Sequence, residues 1–319
     1  MFASDKMKKL MGEIEIFLLV FFSALFIIIC LLTVYFLICV KLSNFLSYPN
    51  KYDREYTHNL DVEKGLIPAD MSFLKRETLN ITARDGTLIK GDFSYHENQK
   101  GIIILAHGYT WTREGALKYG QFLYNDGFSI YIYDERFHGE SDFKYVTMGH
   151  NESMDVCDIV NYFKNKYGKD VIIGLQGESM GAASVMNSLK YEPDVDFVLE
   201  DCGYESLKDL IKHKLKQMKL PSILLIGCNL VLKIKFKYTF KDVEPINSVK
   251  NSNVPLLIMH GKDDTLVPVT HALDLYEATK KHSEIHIFND SEHAKSYENY
   301  KNEYEKIAID FIHSILKEK

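Results

Sequence analysis

Between residues 102 and 316, short apolar runs alternate with longer stretches of helical period. Ile102 to Leu105, Ser129 to Tyr133, Val171 to Leu175, Phe197 to Glu200, Pro255 to Met259 and Ile285 to Phe288 are apolar at most positions. A strand without polar alternation is buried on both faces, as in a parallel sheet covered by helices. Helices are expected at 116–125, 151–167, 181–190, 269–281 and 296–316. Ahead of them, Leu79 to Ala83 and Leu88 to Phe93 flank Asp85-Gly86, the turn chemistry of a β-hairpin. The pattern predicts an α/β fold, a mostly parallel central sheet with helices on both faces.

Two segments depart from the alternation. Residues 204–250 are too long for a simple connection and hold helical candidates at 205–219 and 222–235. The second is apolar from Ile223 to Leu232 apart from Asn229, then basic at Lys233, Lys235 and Lys237. Too short to span a bilayer, it reads as a lid helix covering a site, as an interfacial element touching lipid, or as an ordinary helix buried on the sheet.

The other departure is Ile16 to Val40, 25 residues without a charge. As a helix it exceeds the roughly 30 Å hydrocarbon core. A signal peptide would have a shorter apolar region ending in small residues, whereas this one ends Leu37-Ile38-Cys39-Val40-Lys41. A buried core helix is the other rival; a retained single-pass anchor is the expectation. Lys6, Lys8 and Lys9 are bunched before it, while Lys41, Lys51 and Arg54 are spread after it. That favours the N-terminus inside and the globular part outside the cytoplasm. The chain then divides into a tail at 1–13, a transmembrane anchor at 14–40, a polar juxtamembrane connector at 41–72, and a domain at 73–319 with its lid insertion at about 204–250.

A net charge of −6 offers nothing for nucleic acid. Five cysteines, two of them in the apolar segment, make no disulfide framework; Cys157, Cys202 and Cys228 read as small buried hydrophobes. There is no Walker loop, zinc-spaced Cys/His cluster or dinucleotide fingerprint, so neither metal nor cofactor is expected.

The chemistry centres on Gly177-Glu178-Ser179-Met180-Gly181, between an apolar run and a helix-forming stretch. A serine on such a turn presents its hydroxyl beside the free N–H groups of a new helix. It needs a base, and the base needs an acid to fix its tautomer. Two later loops follow strands. His260-Gly-Lys-Asp-Asp264-Thr-Leu-Val-Pro268 offers Asp263 and Asp264; Asp290-Ser-Glu-His293-Ala-Lys295 offers His293. The order Ser, Asp, His is that of a nucleophile-elbow hydrolase.

With these motifs and His107-Gly108-Tyr109 after an early strand, residues 78–316 resemble an α/β-hydrolase. The anchor, Tyr133 to Ser141 and Gly149 to Glu152 resemble bacterial membrane-anchored members of the serine-aminopeptidase-like, monoglyceride-lipase-like branch. The resemblance implies Ser179 as nucleophile, His293 as base and Asp264 as acid, with Asp263 its competitor. It implies an oxyanion hole from the backbone N–H groups of Met180 and Tyr109, on a loop ordered by His107 and Gly108. Asp134, Arg136 and His138 are expected to tie down their loop, Glu178 to tune the pocket, and Trp111 to line the acyl pocket or to pack.

The expected function is a membrane-anchored serine hydrolase cleaving carboxylic esters with a hydrophobic acyl part. Its partners would be a small-molecule ester or lipid-like substrate and the bilayer. A serine peptidase of the aminopeptidase-like branch and a non-catalytic hydrolase-fold binding module are the alternatives.

Overall fold

The computed structural model describes residues 2–142 and 144–317, with side chains from Lys6 onward. Helix α1 (Phe2–Ser47) is one unbroken element of 46 residues, about 69 Å long at 1.5 Å per residue. Its stretch Lys6–Ser47 is long and apolar enough to cross a membrane, and its most apolar window is not covered by the rest of the chain.

The helix runs past Val40 to Ser47 although Lys41, Ser43 and Asn44 are polar. Two of these groups find partners: the Ser43 hydroxyl donates to the Cys228 carbonyl at 3.5 Å, and Lys235 Nζ donates to Asn44 Oδ1 at 2.6 Å.

Within the polar segment that follows lies a second helix, α2 (Arg54–Glu63), capped by Asp53, whose Oδ1 accepts from the Tyr56 N–H at 2.7 Å. Ten residues are too few to hold a helix alone. Tertiary contacts hold this one: Arg54 pairs with Glu114 and, at 2.8 Å, with Asp92, while the Thr57 and Thr112 hydroxyls meet at 2.5 Å. Sequence periodicity does not reveal it because its stability comes from Glu114 and Asp92, far along the chain.

Two antiparallel pairs open the domain. β1 (Glu77–Thr78) pairs with β4 (Gly91–Ser94), and β2 (Ile81–Thr82) with β3 (Leu88–Ile89) across the expected Asp85-Gly86 hairpin. The alternation follows as β5 (Ile102–Ala106), α3 (Leu117–Asn125), β6 (Ser129–Tyr133), α4 (Asn151–Tyr167), β7 (Ile173–Glu178), α5 (Met180–Ser188) and β8 (Phe197–Asp201). After it come α6 (Leu207–Gln217), α7 (Leu224–Val231), α8 (Pro245–Lys250), β9 (Leu256–Gly261), α9 (Thr270–Thr279), β10 (Ser283–Phe288), α10 (Ser296–Asn299) and α11 (Lys301–Lys317).

Among the described residues the main sheet has eight strands in the order β1-β4-β6-β5-β7-β8-β9-β10, parallel from β6 to β10. Strand β5 shows how pleating sorts the core. Ile102, Ile104 and Ala106 join Val156 and Phe163 of α4 and Leu275 of α9; Ile103 and Leu105 join Phe122 of α3 and Phe311 of α11. Each such large side chain contributes about 1.5–3 kcal/mol by leaving water.

The segment after β8 does not pack as a helix buried on the sheet. Helix α7 docks against α1: the Tyr35 hydroxyl donates to the Ile223 carbonyl at 2.9 Å and accepts from the Gly227 N–H at 3.0 Å. The close approach requires glycine, because a Cβ on Gly227 would meet Cys39 Sγ. The flanking face carries Ile226 and Leu230 of α7 together with Ile223 just before it and Ile234 in the turn after it, all exposed. Their spacing of three and four residues puts them on one side of the helix.

Candidate active site

Strand β7 ends at Glu178 and α5 begins at Met180, so the direction change falls on Ser179, with φ 53° and ψ −110°. This left-handed backbone at a non-glycine residue is strained and survives only where neighbours impose it. They do: a Cβ on Gly177 would strike the Gly181 carbonyl, and one on Gly181 would strike the Ala106 carbonyl of β5. The Ser179 N–H donates to the Asp201 carbonyl at 2.8 Å.

Beyond β9, Asp264 is buried and Asp263 exposed. Asp264 Oδ1 accepts from the N–H groups of Leu266 and Val267, both at 2.8 Å, leaving Oδ2 to accept from His293 Nδ1 at 2.6 Å. Burial opposes ionisation of this carboxyl, but hydrogen bonds from His260 and His293 hold it well below the usual carboxylate range. With Nδ1 donating, His293 Nε2 is an acceptor, and it lies 2.9 Å from Ser179 Oγ. The structure thus brings Ser179, His293 and Asp264 into one hydrogen-bonded chain at the C-terminal ends of β7, β9 and β10.

The loop after β5 lies against the serine: a Cβ on Gly108 would stand 3.8 Å from that of Ser179. Among the described residues, the N–H groups of Tyr109 and Met180 make no hydrogen bond to protein. His107 Nδ1 donates to the Gly108 carbonyl at 2.8 Å and its Nε2 accepts from the Glu135 N–H at 3.0 Å. His138 repeats the pattern, donating to the Arg136 carbonyl at 3.0 Å and accepting from the Thr110 N–H at 3.1 Å. Burial lowers both imidazole pKa values, so each ring is a neutral bracket for the loop. Asp134 accepts from the N–H groups of Arg113 at 2.7 Å and Glu140 at 2.9 Å, and Arg136 pairs with Asp155 at 2.5 Å and Asp85 at 2.6 Å.

Strand order, the turn at Ser179 and these loops now stand beside known proteins. The model of the serine aminopeptidase family S33 matches residues 97–200, which contain Ser179, and that of the prolyl oligopeptidase family matches 232–319, which contain Asp264 and His293. The esterase Pf2001 of Pyrococcus furiosus superposes with a TM-score of 0.64 at 23% identity, covering 83% of this chain and 98% of its own. The esterase EaEST of Exiguobacterium antarcticum superposes at 0.55 and 16%, covering 74% and 100%. The chain has the α/β-hydrolase fold. Among sequence relatives of this hydrolase, the uncharacterized protein YqkD of Bacillus subtilis is 29% identical over 75% of this chain and 80% of its own length.

Several groups around Ser179 in this α/β-hydrolase escape a reading of motifs. Lys118 of α3 pairs with Glu178, and the Tyr119 hydroxyl lies 2.6 Å from Glu178 Oε2 and 2.8 Å from Asp201 Oδ2. Burial opposes the charge of Glu178, yet Lys118 keeps its carboxyl below the usual range. A lysine in the first turn of an otherwise uncharged helix was the available signal. With Ser179 and His293, a cavity of about 380 Å³ is lined by the charged groups Asp61, Lys64, Lys118, Glu178, Lys295 and Glu298. Trp111 lines it too, and burial raises the Asp61 carboxyl to about 6. Among the described residues no cluster of three or more His, Cys, Asp or Glu is arranged to hold a metal.

Proposed function

We propose that this hydrolase is a membrane-anchored serine esterase whose nucleophile is Ser179, base His293 and acid Asp264. The observation that carries the reading is the pair of hydrogen bonds at 2.9 and 2.6 Å that join the three side chains. Ser179 Oγ attacks the ester carbonyl while His293 Nε2 takes its proton, and Asp264 stabilises the imidazolium. The N–H groups of Met180 and Tyr109 receive the oxyanion. His293 returns the proton to the leaving alcohol, and water repeats the path on the acyl-enzyme.

In this reading residues 14–40 cross the bilayer, 41–72 connect, and 73–319 are the hydrolase domain, with 204–250 its lid. The bunched Lys6, Lys8 and Lys9 support a domain outside the cytoplasm. Labelling an introduced surface cysteine in intact cells tests that orientation; labelling only after lysis reverses it.

The two partial family matches name peptidases, so amide cleavage is the second reading. A site for a free amino terminus needs an unmatched carboxylate. Glu178 is matched by Lys118 and Glu298 by Lys295 at 2.6 Å, which leaves Asp61, whose Oδ2 has no hydrogen-bond partner among the described residues, as the carboxylate of this cavity open to an amine.

The test is hydrolysis of p-nitrophenyl esters from acetate to decanoate by the full chain in detergent, with Ser179→Ala as control. Turnover lost in the variant is the expected result. A folded protein that neither turns over esters nor reacts with a fluorophosphonate would sink the assignment; labelling without ester turnover would point to amides.

A further inference from the structure

Beside the charged cavity at Ser179 lies a second one, of about 220 Å³, with almost nothing but carbon on its walls. One wall is the end of α1, through Leu42, Phe45 and Leu46; the opposite wall is the lid, through Leu210, Ile211 and Leu215 of α6. Lys214 also lines it, but its ammonium donates to Gln217 Oε1 at 3.1 Å, so the methylene stem faces inward. The two cavities share Tyr109 and Leu266, and so they adjoin at these two residues, next to the serine's own cavity.

We propose that this second cavity holds the acyl chain of a membrane-borne ester, and that the end of the membrane-spanning helix is a structural wall of the substrate site. The proposal rests on the esterase reading and adds to it a substrate class and an approach. An ester carbonyl at Ser179 has two directions open to its substituents. The charged cavity receives the polar alcohol, since an aliphatic chain gains nothing among Lys64, Lys118 and Glu178. The carbon-lined cavity receives the acyl chain, since a polar head would lose its hydrogen bonds there.

The approach follows from what surrounds α1. Its residues Ile16, Phe26 and Leu37 are exposed side chains of a helix fit for a bilayer, and the exposed Ile226 and Leu230 of α7, with Ile223 and Ile234 at its two ends, stand beside it. A chain leaving the bilayer along α1 meets Phe45 and Leu46 before it meets water.

The test uses the full chain in phosphatidylcholine vesicles. Trp is placed in the cavity from either wall, as Leu46→Trp and Ile211→Trp, so that two variants cover a failure of one to fold. The measured quantity is the ratio of kcat/KM for p-nitrophenyl decanoate to that for the acetate. Filling the cavity is expected to lower the ratio at least about tenfold in both variants. A ratio within about twofold of the parent's overturns the acyl site. A second arm needs no turnover: decanoic acid bearing a diazirine is photo-crosslinked and the adducts mapped. Adducts at 42–46 and 210–215, suppressed by free decanoate, support the site. Adducts confined to 16–38 overturn it. Absent ester turnover in the parent removes the esterase reading, and the crosslinking arm then decides the cavity by itself.

Discussion

The Tyr109 hydroxyl donates to the Phe45 carbonyl at 3.0 Å and lies 3.1 Å from that of Leu46. A residue proposed to carry an oxyanion donor on its backbone thus caps, with its side chain, the end of the helix that can cross a membrane. Burial pushes the Tyr109 phenol up to about 12, so it remains a donor at any physiological pH. Removing that bond should loosen the loop without emptying the site. Tyr109→Phe is expected to lower kcat about fivefold, the worth of roughly 1 kcal/mol of hydrogen bonding, with KM for the acetate ester little changed. An unaltered kcat would show that the loop holds its geometry through His107 and His138 alone.

The two carboxylates of the loop after β9 are separated by exposure. Asp264→Asn is expected to cost on the order of a thousandfold or more in kcat, because the amide cannot hold the required His293 tautomer or stabilise its charge. Asp263→Asn should leave turnover within about twofold, since substitutions on an exposed surface are mostly neutral. The reverse order in a p-nitrophenyl acetate assay would move the acid to Asp263.

The packing of α7 on α1 depends on one missing side chain. Gly227→Leu puts atoms where Cys39 Sγ and the Tyr35 ring sit, and overpacking of this kind costs about 1–3 kcal/mol. The expected consequence is a lid that opens locally, read as faster tryptic cleavage after Lys233, Lys235 and Lys237. Cleavage at the parent's rate would mean that α7 does not depend on α1 for its place.

Under the active site, Glu200 is fully buried on β8; Oε2 accepts from the Gly203 N–H at 2.8 Å and Oε1 has no partner among the described residues. Burial raises its carboxyl to about 7. A carboxyl whose pKa is higher folded than unfolded binds more protons in the native state. Its contribution to stability is therefore full below the unfolded value near 4.3 and is lost as pH rises to about 7. Glu200→Gln keeps an acceptor for Gly203 and removes the ionisation. It should raise Tm at pH 8 by a few degrees, corresponding to about 1–2 kcal/mol, and have little effect near pH 4. Equal changes at both pH values would assign the effect to packing instead.

How much of this was legible along the chain depends on the range of the forces involved. The parallel sheet was readable because its strands are mostly apolar runs, with Glu178 at the end of β7, Glu200 and Asp201 at the end of β8 and Glu284 in β10 as exceptions, and the Asp85-Gly86 hairpin because turn chemistry is local. Ser179 stood out through its glycines, each excluded from bearing a Cβ by backbone four to seventy-five positions away. The long apolar helix, too, is a property of consecutive residues.

What the amino-acid order determined by itself is the class of fold and the types of residue at the ends of its strands, since both follow from short-range periodicity and from chain direction. Only the tertiary structure decided where α1 ends, why a ten-residue α2 exists, and what α7 covers. Those depend on Ser43 finding Cys228, Arg54 finding Glu114, and Gly227 clearing a path for Cys39, pairs 60 to 188 positions apart whose meeting depends on the whole chain folding. The same holds for Lys118 beneath Ser179 and for the carbon-lined cavity beside it. Neither has a spacing along the chain, because each is made by surfaces that meet only after the sheet and its covering helices are in place.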